Sequence, residues 1–129
     1  MPKDDDLELN NLFIQLAYLE IISYHLPIPM CMVDENMNYL VFSKKWETLL
    51  EHSDKPKQGD NHYDLFPTIK KDYPQFVVEH QECLKKGKVI SQIVDDFQGI
   101  KIWYTLQPVK LPNERNGMIM IINDFETNL

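Results

Sequence analysis

Apolar and polar positions divide the chain into a helical start, a mixed middle and a strand-rich end. Residues 7 to 26 contain no proline or glycine and are apolar around more than half of a helix, which predicts a helix of about five turns. From residue 88 onward the period changes to two. This pattern predicts three strands, at residues 88 to 96, at Ile100–Lys110 and at residues 118 to 125.

Between these regions, short strands alternate with helices. Met30–Asp34 and residues 38 to 43 predict two strands joined by a polar turn, and Ser43 is placed to cap a short helix. Residues 51 to 61 show no periodicity and predict a mobile loop. A longer helix that ends at Gly87 follows. Its apolar face carries Tyr73, Phe76, Val77, His80, Cys83 and Leu84.

The last two predicted strands carry apolar side chains on more than one face. One face of the penultimate strand is formed by Ile100, Ile102, Tyr104 and Leu106, while Trp103 points the other way. In the last strand Met118, Met120 and Ile122 alternate with Ile119 and Ile121. A strand that is apolar on both faces is expected at the centre of a sheet.

Composition narrows the class of protein. A chain of 129 residues with 43% hydrophobic content predicts one compact domain. Its formal charge of -7 would repel phosphate backbones and anionic headgroups, so neither nucleic acid nor a membrane surface is an expected partner. Cys31 and Cys83 have no metal-type spacing and the acidic start is unlike a secretory signal, which predicts a cytoplasmic location.

Several local sequences, in this order along the chain, resemble those of PAS domains, also called sensory-box domains. Together they cover roughly residues 26 to 127. The matching segments are Leu-Pro-Ile-Pro-Met before the first strand, Val-Asp-Glu-Asn after it, Ser43-x-x-Trp-x-x-Leu with serine in place of the usual asparagine, Asp-Leu-Phe-Pro ending at Pro67, Trp103-Tyr-x-x-x-Pro-Val, and Asp124-Phe-Glu-Thr, which is similar to the closing D-[IV]-T-E motif.

The resemblance implies an α+β domain with a five-stranded antiparallel sheet in the order 2-1-5-4-3, flanked by helices. A PAS domain at residues 27–129 would follow an N-terminal helix at residues 1–26. Between the inner face of the sheet and the helices the family holds a pocket, which would accept a small hydrophobic ligand or be filled by side chains. The implied pocket residues are Cys31, Val33, Ile102, Tyr104, Leu106, Met120 and Ile122.

The outer face of the implied sheet requires a cover, because an exposed apolar patch is costly. The N-terminal helix has a surplus of apolar positions and could supply this cover to its own sheet or to a partner's. A homodimer is the expected arrangement, with ordinary intramolecular packing as the alternative. The expected interface residues are Leu9, Leu12, Leu16, Leu19, Trp103, Ile119 and Ile121.

The sequence contains little that predicts catalysis or a metal site. On the implied inner face only Tyr104 and the thiol of Cys31 are polar, and acid/base or hydrolytic chemistry needs several converging polar groups. Asp60, His62 and Asp64 alternate in a loop, where such polarity is usually solvated. We therefore expect no catalytic residues and no metal ligands.

The sequence does not identify a cofactor. His80 and Cys83 share a helix face, but two ligands do not make a metal or haem site, and the resemblance places the haem-binding histidine of the family nearer Val77. The cysteine that forms the flavin adduct in light-sensing relatives is missing from residues 61 to 66. Ile122 stands where those relatives have a glutamine, so neither haem nor a photoactive flavin is expected.

The function implied is that of a sensory module which detects a small ligand or a redox change. The change would leave through Asp124 and Thr127 into a covalently linked output domain absent from this chain, of the histidine kinase or GGDEF diguanylate cyclase type. The chain stops near this exit, which suggests an excised sensor. Two alternatives stand beside this one: a structural dimerisation domain with a filled core, and a small α+β enzyme whose open sheet cups its substrate.

Overall fold

A five-stranded antiparallel sheet in the order β2-β1-β5-β4-β3 organises the protein. The computed structural model describes residues 3–48 and 56–127. The strands are β1 (Met30–Asp34), β2 (Tyr39–Phe42), β3 (Ile90–Phe97), β4 (Ile100–Lys110) and β5 (Asn116–Thr127). The predicted α+β class, strand order and central position of the last strand are confirmed.

Five helices accompany the sheet in the described ranges: α1 (Lys3–Tyr24), α2 (Lys44–Thr48), α3 (His62–Leu65), α4 (Ile69–Asp72) and α5 (Pro74–Lys86). α5 begins with a proline, whose missing amide hydrogen costs nothing there, and ends at Gly87 with a φ of 68°. The sequence pattern did not predict the single turn α4. Of the loop predicted at residues 51 to 61, residues 51 to 55 lie outside the described ranges.

A bulge in β5 changes which side chains face inward near its end. Tyr104 of β4 pairs with Ile122, and Trp103 pairs with Asp124, so Asn123 has no opposite residue in β4. The alternation of side chains is therefore shifted by one residue beyond Asn123. As a result Phe125, opposite the buried Ile102, returns to the inner side.

The core lies between the inner face of the sheet and helices α2 to α5. Its centre is formed by side chains that are almost fully buried, among them Tyr39, Met37, Leu106, Met118, Val33, Cys31 and Cys83. On α5 the buried residues are Phe76, His80, Cys83 and Leu84, which follow the predicted helix face.

The N-terminal helix α1 begins four residues before the predicted start and ends two residues before the predicted end, and it leaves its own sheet uncovered. Its large apolar side chains from Leu7 to Tyr24 are 37% to 68% exposed, and the indole of Trp103 on the outer sheet face is 47% exposed. The alternative in which α1 packs on the outer face of its own sheet is therefore wrong. Within residues 3–48 and 56–127, no helix has the length and apolarity needed to cross a membrane.

Ser43 joins the start of α2 to the chain that approaches β1. Its fully buried hydroxyl oxygen accepts hydrogen bonds from the amides of Trp46, at 3.3 Å, and Met30, at 3.0 Å. The hydroxyl also donates to the carbonyl of Ile28 at 2.8 Å. The predicted helix cap is confirmed, and the same side chain also satisfies two backbone groups outside the helix.

Replacing Ser43 with alanine removes all three hydrogen bonds and leaves the Met30 amide and the Ile28 carbonyl without this partner. We expect Ser43→Ala to lower the free energy of unfolding by about 2–4 kcal/mol, the sum of a lost cap and an unsatisfied buried donor. Urea unfolding followed by tryptophan fluorescence measures this change. Thr48→Ala, which removes an exposed hydroxyl of the same helix, is the control and should change stability by less than about 0.5 kcal/mol. A loss in Ser43→Ala as small as the control's would contradict this account.

Candidate ligand-binding cavity

A cavity of about 500 Å³ lies between the inner face of the sheet and the helices. Its walls are mostly apolar, and its volume is in the range of small-molecule sites. The residues that line it are Trp46, Thr48, His62, Phe66, Ile69, Phe76, His80, Phe97, Gln98, Ile100, Ile102, Tyr104, Leu106, Met120, Ile121, Ile122 and Phe125. Of the pocket residues predicted from the sequence, Ile102, Tyr104, Leu106, Met120 and Ile122 line this cavity.

Cys31 and Val33, which were also predicted to line the pocket, do not reach the cavity. Both are fully buried in the core, where the side chains of Met37 and Tyr39 fill the space beneath β1. Burial raises the pKa of the Cys31 thiol well above its usual value, and the thiol stays protonated.

A chain of hydrogen bonds holds the buried imidazole of His62. The indole nitrogen of Trp46 donates to the Tyr39 hydroxyl at 3.2 Å, and this hydroxyl lies 2.7 Å from His62 Nδ1. Burial, together with the neighbouring imidazole of His80, lowers the pKa of His62 to about 3. His62 is therefore neutral at physiological pH.

The backbone explains why His62 is buried although it belongs to a polar segment. The amide of His62 donates to the carbonyl of Met37 at 2.9 Å, and Asn38 and Asn61 form a bridge beside it. The Tyr39 amide also donates to the Asp60 carbonyl at 2.8 Å. This segment therefore runs along the free edge of β2 and carries the imidazole inward, so the expectation that His62 is solvated is wrong.

His80 on α5 has a similar arrangement beside His62. Its Nδ1 lies 2.8 Å from the hydroxyl of Tyr63, and burial lowers the pKa of His80 to about 4. The rings of His62 and His80 are 5.6 Å apart between centroids and nearly perpendicular, at 77°. Two neutral imidazoles therefore meet at one part of the cavity wall.

Tyr104 contributes an aromatic ring whose hydroxyl is already engaged. The hydroxyl donates to the carboxylate of Glu79 on α5. Burial, and then the contact with Glu79, raises the pKa of Tyr104 above its usual value. The ring of Phe76 meets Tyr104 edge to face at 5.4 Å and also lies 5.6 Å from Phe97. This part of the wall is aromatic rather than polar.

Within residues 3–48 and 56–127 no three His, Cys, Asp or Glu side chains are grouped so that they could hold a metal ion. His80 and Cys83 share one helix face as predicted, but only His80 lines the cavity. Cys83 is a core residue, and burial raises its pKa to about 11.

The residues predicted for the interface and the signal exit lie outside the cavity, with one exception. Ile119 is half-buried, and the exposed indole of Trp103 donates to Ser91 at 2.9 Å. Ile121 is half-buried, pairs with Thr105, and also forms part of the cavity boundary. Asp124 is exposed. Thr127 ends β5, and its side chain is not among those that the structure describes.

The two buried histidines should make the protein less stable in mild acid. Their pKa values of about 3 and 4 lie below the usual value of about 6.5, so the unfolded chain binds more protons over that window and the free energy of unfolding falls as the pH falls. Each histidine should account for a loss of roughly 2 kcal/mol between pH 7 and pH 5. Urea unfolding at several pH values measures this loss.

Two variants assign the pH dependence. His80→Gln should be less stable than the parent at pH 7 but should show a shallower slope, by up to about 1.4 kcal/mol per pH unit. His25→Gln, at an exposed position, is the control and should keep the slope of the parent. Equal slopes in the parent and in His80→Gln would show that His80 is not held neutral.

Comparison with known proteins gives matches in structure but not in sequence. No family model and no curated protein matches the chain. A sensory box sensor histidine kinase from Vibrio cholerae superposes with a TM-score of 0.60 at 12% identity, over 97% of this chain and 98% of that one. The PAS domain of Bordetella pertussis BvgS gives a TM-score of 0.60 at 14% identity over 85% of each chain.

A third superposed structure is a photoactive yellow protein domain with the same architecture. The photoactive yellow protein domain of the sensor histidine kinase Ppr from Rhodospirillum centenum gives a TM-score of 0.61 at 14% identity, over 81% of this chain and 92% of that one. Some other matched chains are longer, and this chain covers 32% of one of them. The strand order, the flanking helices and these superpositions agree, and the protein has the fold of the PAS, or sensory-box, domains.

Proposed function

We propose that this chain is a cytoplasmic sensory module that binds a small, largely apolar molecule in the cavity and passes the change to a covalently linked output domain. The observation that carries the proposal is the cavity of about 500 Å³ between sheet and helices. Small-molecule sites in proteins are mostly apolar clefts or cavities of about 300–1,000 Å³. A space of this size with apolar walls is suited to a ligand.

The proposed signal path follows β5. This strand contributes Met120, Ile122 and Phe125 to the cavity wall and then continues to Thr127. A ligand that binds one arrangement of these side chains better than another would shift the population of β5 conformers, and the bulge at Asn123 is where the pairing is least regular. The end of β5, including Asp124, would carry the shift to the output domain.

Two kinds of output were implied by the sequence resemblance, a histidine kinase and a GGDEF diguanylate cyclase. The histidine kinase is favoured, because two of the superposed structures belong to sensor histidine kinases. A ligand is favoured over a redox signal, because both thiols are buried and their pKa values are raised.

The other functions implied by the sequence have less support. A structural dimerisation domain with a filled core is at odds with the size of the cavity. A small enzyme would need converging acid, base or nucleophilic groups. The titratable groups at the described wall are instead two neutral imidazoles and a tyrosine already bonded to Glu79. The other polar side chains there, Thr48 and Gln98, donate to the Lys45 carbonyl and the Thr68 hydroxyl.

We further propose that a second copy of the chain covers α1 and the outer face of the sheet. α1 spans 22 residues, or about 33 Å, and its apolar side chains are exposed on every side. The predicted heptad set Leu9, Leu12, Leu16 and Leu19 could pack against the same set of the partner's helix. The remaining apolar side of α1 would then cover the partner's outer face around Trp103, Ile119 and Ile121.

This dimer can be tested with charge placed on the heptad set. Leu12→Glu combined with Leu16→Glu should convert a dimer into a monomer of 15.3 kDa, because buried carboxylates without partners are costly. Size-exclusion chromatography with light scattering measures the mass. Asn11→Glu combined with Gln15→Glu adds the same charge at the same spacing on polar positions and should leave the dimer intact. A parent protein that is already monomeric would contradict the proposed interface.

The ligand can be tested by native mass spectrometry of freshly purified protein. We expect a bound small molecule that Ile122→Trp displaces, because Ile122 lines the cavity and the larger side chain would occupy its space. Val78→Trp is the control, since Val78 is exposed on α5, does not line the cavity and lies outside the proposed interface. An absent bound mass together with a featureless absorption spectrum in the parent would favour the filled-core alternative. A mass retained in Ile122→Trp would place the ligand elsewhere.

A further inference from the structure

The His62 and His80 rings each have one nitrogen, Nε2, that is not bonded to a tyrosine. Each ring is held at Nδ1, by Tyr39 or by Tyr63, and neither tyrosine lines the cavity. The opposite edge, which carries Nε2, is therefore the one turned toward the space. Within the described ranges neither Nε2 atom has a hydrogen-bond partner. Every fully buried side-chain nitrogen or oxygen in these ranges does have a partner, so the two Nε2 atoms are not fully buried. Both histidines line the cavity, so their Nε2 atoms are the ring nitrogens left for a ligand to reach.

The hydrogen-bond chain determines which form of His62 the cavity meets. The indole nitrogen of Trp46 can only donate, so the Tyr39 oxygen accepts that bond. Among the described residues His62 Nδ1 is the one acceptor bonded to the Tyr39 hydroxyl, so we assign the Tyr39 hydrogen to it. A neutral imidazole that accepts at Nδ1 carries its hydrogen on Nε2. His62 thus presents a donor to the cavity. The partner of His80 is not constrained in this way, because Tyr63 can donate or accept.

No formal charge in the described wall would balance a charged ligand. The lining residues include no lysine, arginine, aspartate or glutamate among those described. Glu79, adjacent to the wall, already accepts from Tyr104. His62 and His80 face each other and the hydroxyls of Tyr39 and Tyr63, and both stay neutral at physiological pH. A buried charge without a partner is costly, so an uncharged ligand is favoured.

Building on the function proposed above, we infer that the ligand is an uncharged, flat aromatic molecule with a hydrogen-bond acceptor, such as a carbonyl oxygen, directed at Nε2 of His62. The rings of Phe76, Phe97 and Tyr104 supply the aromatic surface for its body. The donor on His62 supplies the polar contact. His62 is then a specificity residue: it distinguishes ligands with an acceptor on one edge from hydrocarbons of the same shape.

Two probes with the same three-ring skeleton test this inference: 9-fluorenone, which has a carbonyl group, and fluorene, which has a methylene group in its place. Titration of the full chain, followed by quenching of the tryptophan fluorescence, should give 9-fluorenone a dissociation constant about three- to tenfold lower than that of fluorene. In His62→Phe this preference should fall to about one. His25→Phe alters an exposed histidine and should retain the preference.

Nitrogen-15 NMR of the histidine rings in the unmutated protein keeps the test independent of whether His62→Phe folds. The His62 ring should be protonated at Nε2, and this proton should move downfield with 9-fluorenone but not with fluorene. Equal binding of both probes would overturn the inference and leave the apolar ligand cavity standing. Binding of neither probe would count against both the inference and the proposed function.

Discussion

β5 is hydrogen-bonded along both edges, to β1 on one side and β4 on the other, and this double pairing determines how the rest of the domain is arranged. From Gly117 to Ile121, where both neighbours pair with it, β5 has no free edge, so its two faces decide what this part of the strand contacts. The inner face, with Met120 and Ile122, forms part of the cavity wall. The outer face carries Ile119 and requires a cover that α1 does not give to its own sheet. The central position of β5 therefore places one of its apolar faces at the cavity wall and the other on the outer face of the sheet.

The polar part of the cavity depends on β2, at one edge of the sheet. Tyr39 is fully buried in β2, and its backbone bonds to both Gly59 and Asp60 hold the following segment along the strand edge. Its hydroxyl then fixes His62. Because one residue positions both the backbone and the ring, the imidazole loses little further conformational freedom on burial. Two buried histidines are destabilising in isolation, and the hydrogen bond between a tyrosine hydroxyl and each Nδ1 offsets part of that cost.

The inner and outer faces of the sheet are linked through β5 and its bulge. Asn123 has no opposite residue in β4, and beyond Asn123 the side chain that faces the cavity is that of Phe125. A rearrangement around the cavity therefore acts on the part of the strand where the pairing is already irregular. If a second copy packs on the outer face, the same strand borders both the ligand and the partner. Ligand binding and dimer geometry would then be coupled through one element.

The local pattern of the sequence determined much of the fold. The alternation in β4, the two apolar faces of β5 and the glycine that ends α5 are local features, because strand and helix periods and caps depend on neighbouring residues. The alternation grouped the residues of each face, and the resemblance to PAS domains assigned one face to the pocket; five of the seven residues so implied line the cavity.

The tertiary structure decided what depends on contacts between distant segments. Cys31 and Val33 share the inner face but lie where Tyr39 already fills the space. His62 and His80, 18 positions apart in the chain, meet at one wall because the segment before α3 follows the edge of β2 while α5 packs against β4 and β5. No periodicity within either segment encodes that meeting, since it arises from how the two segments pack on the same sheet.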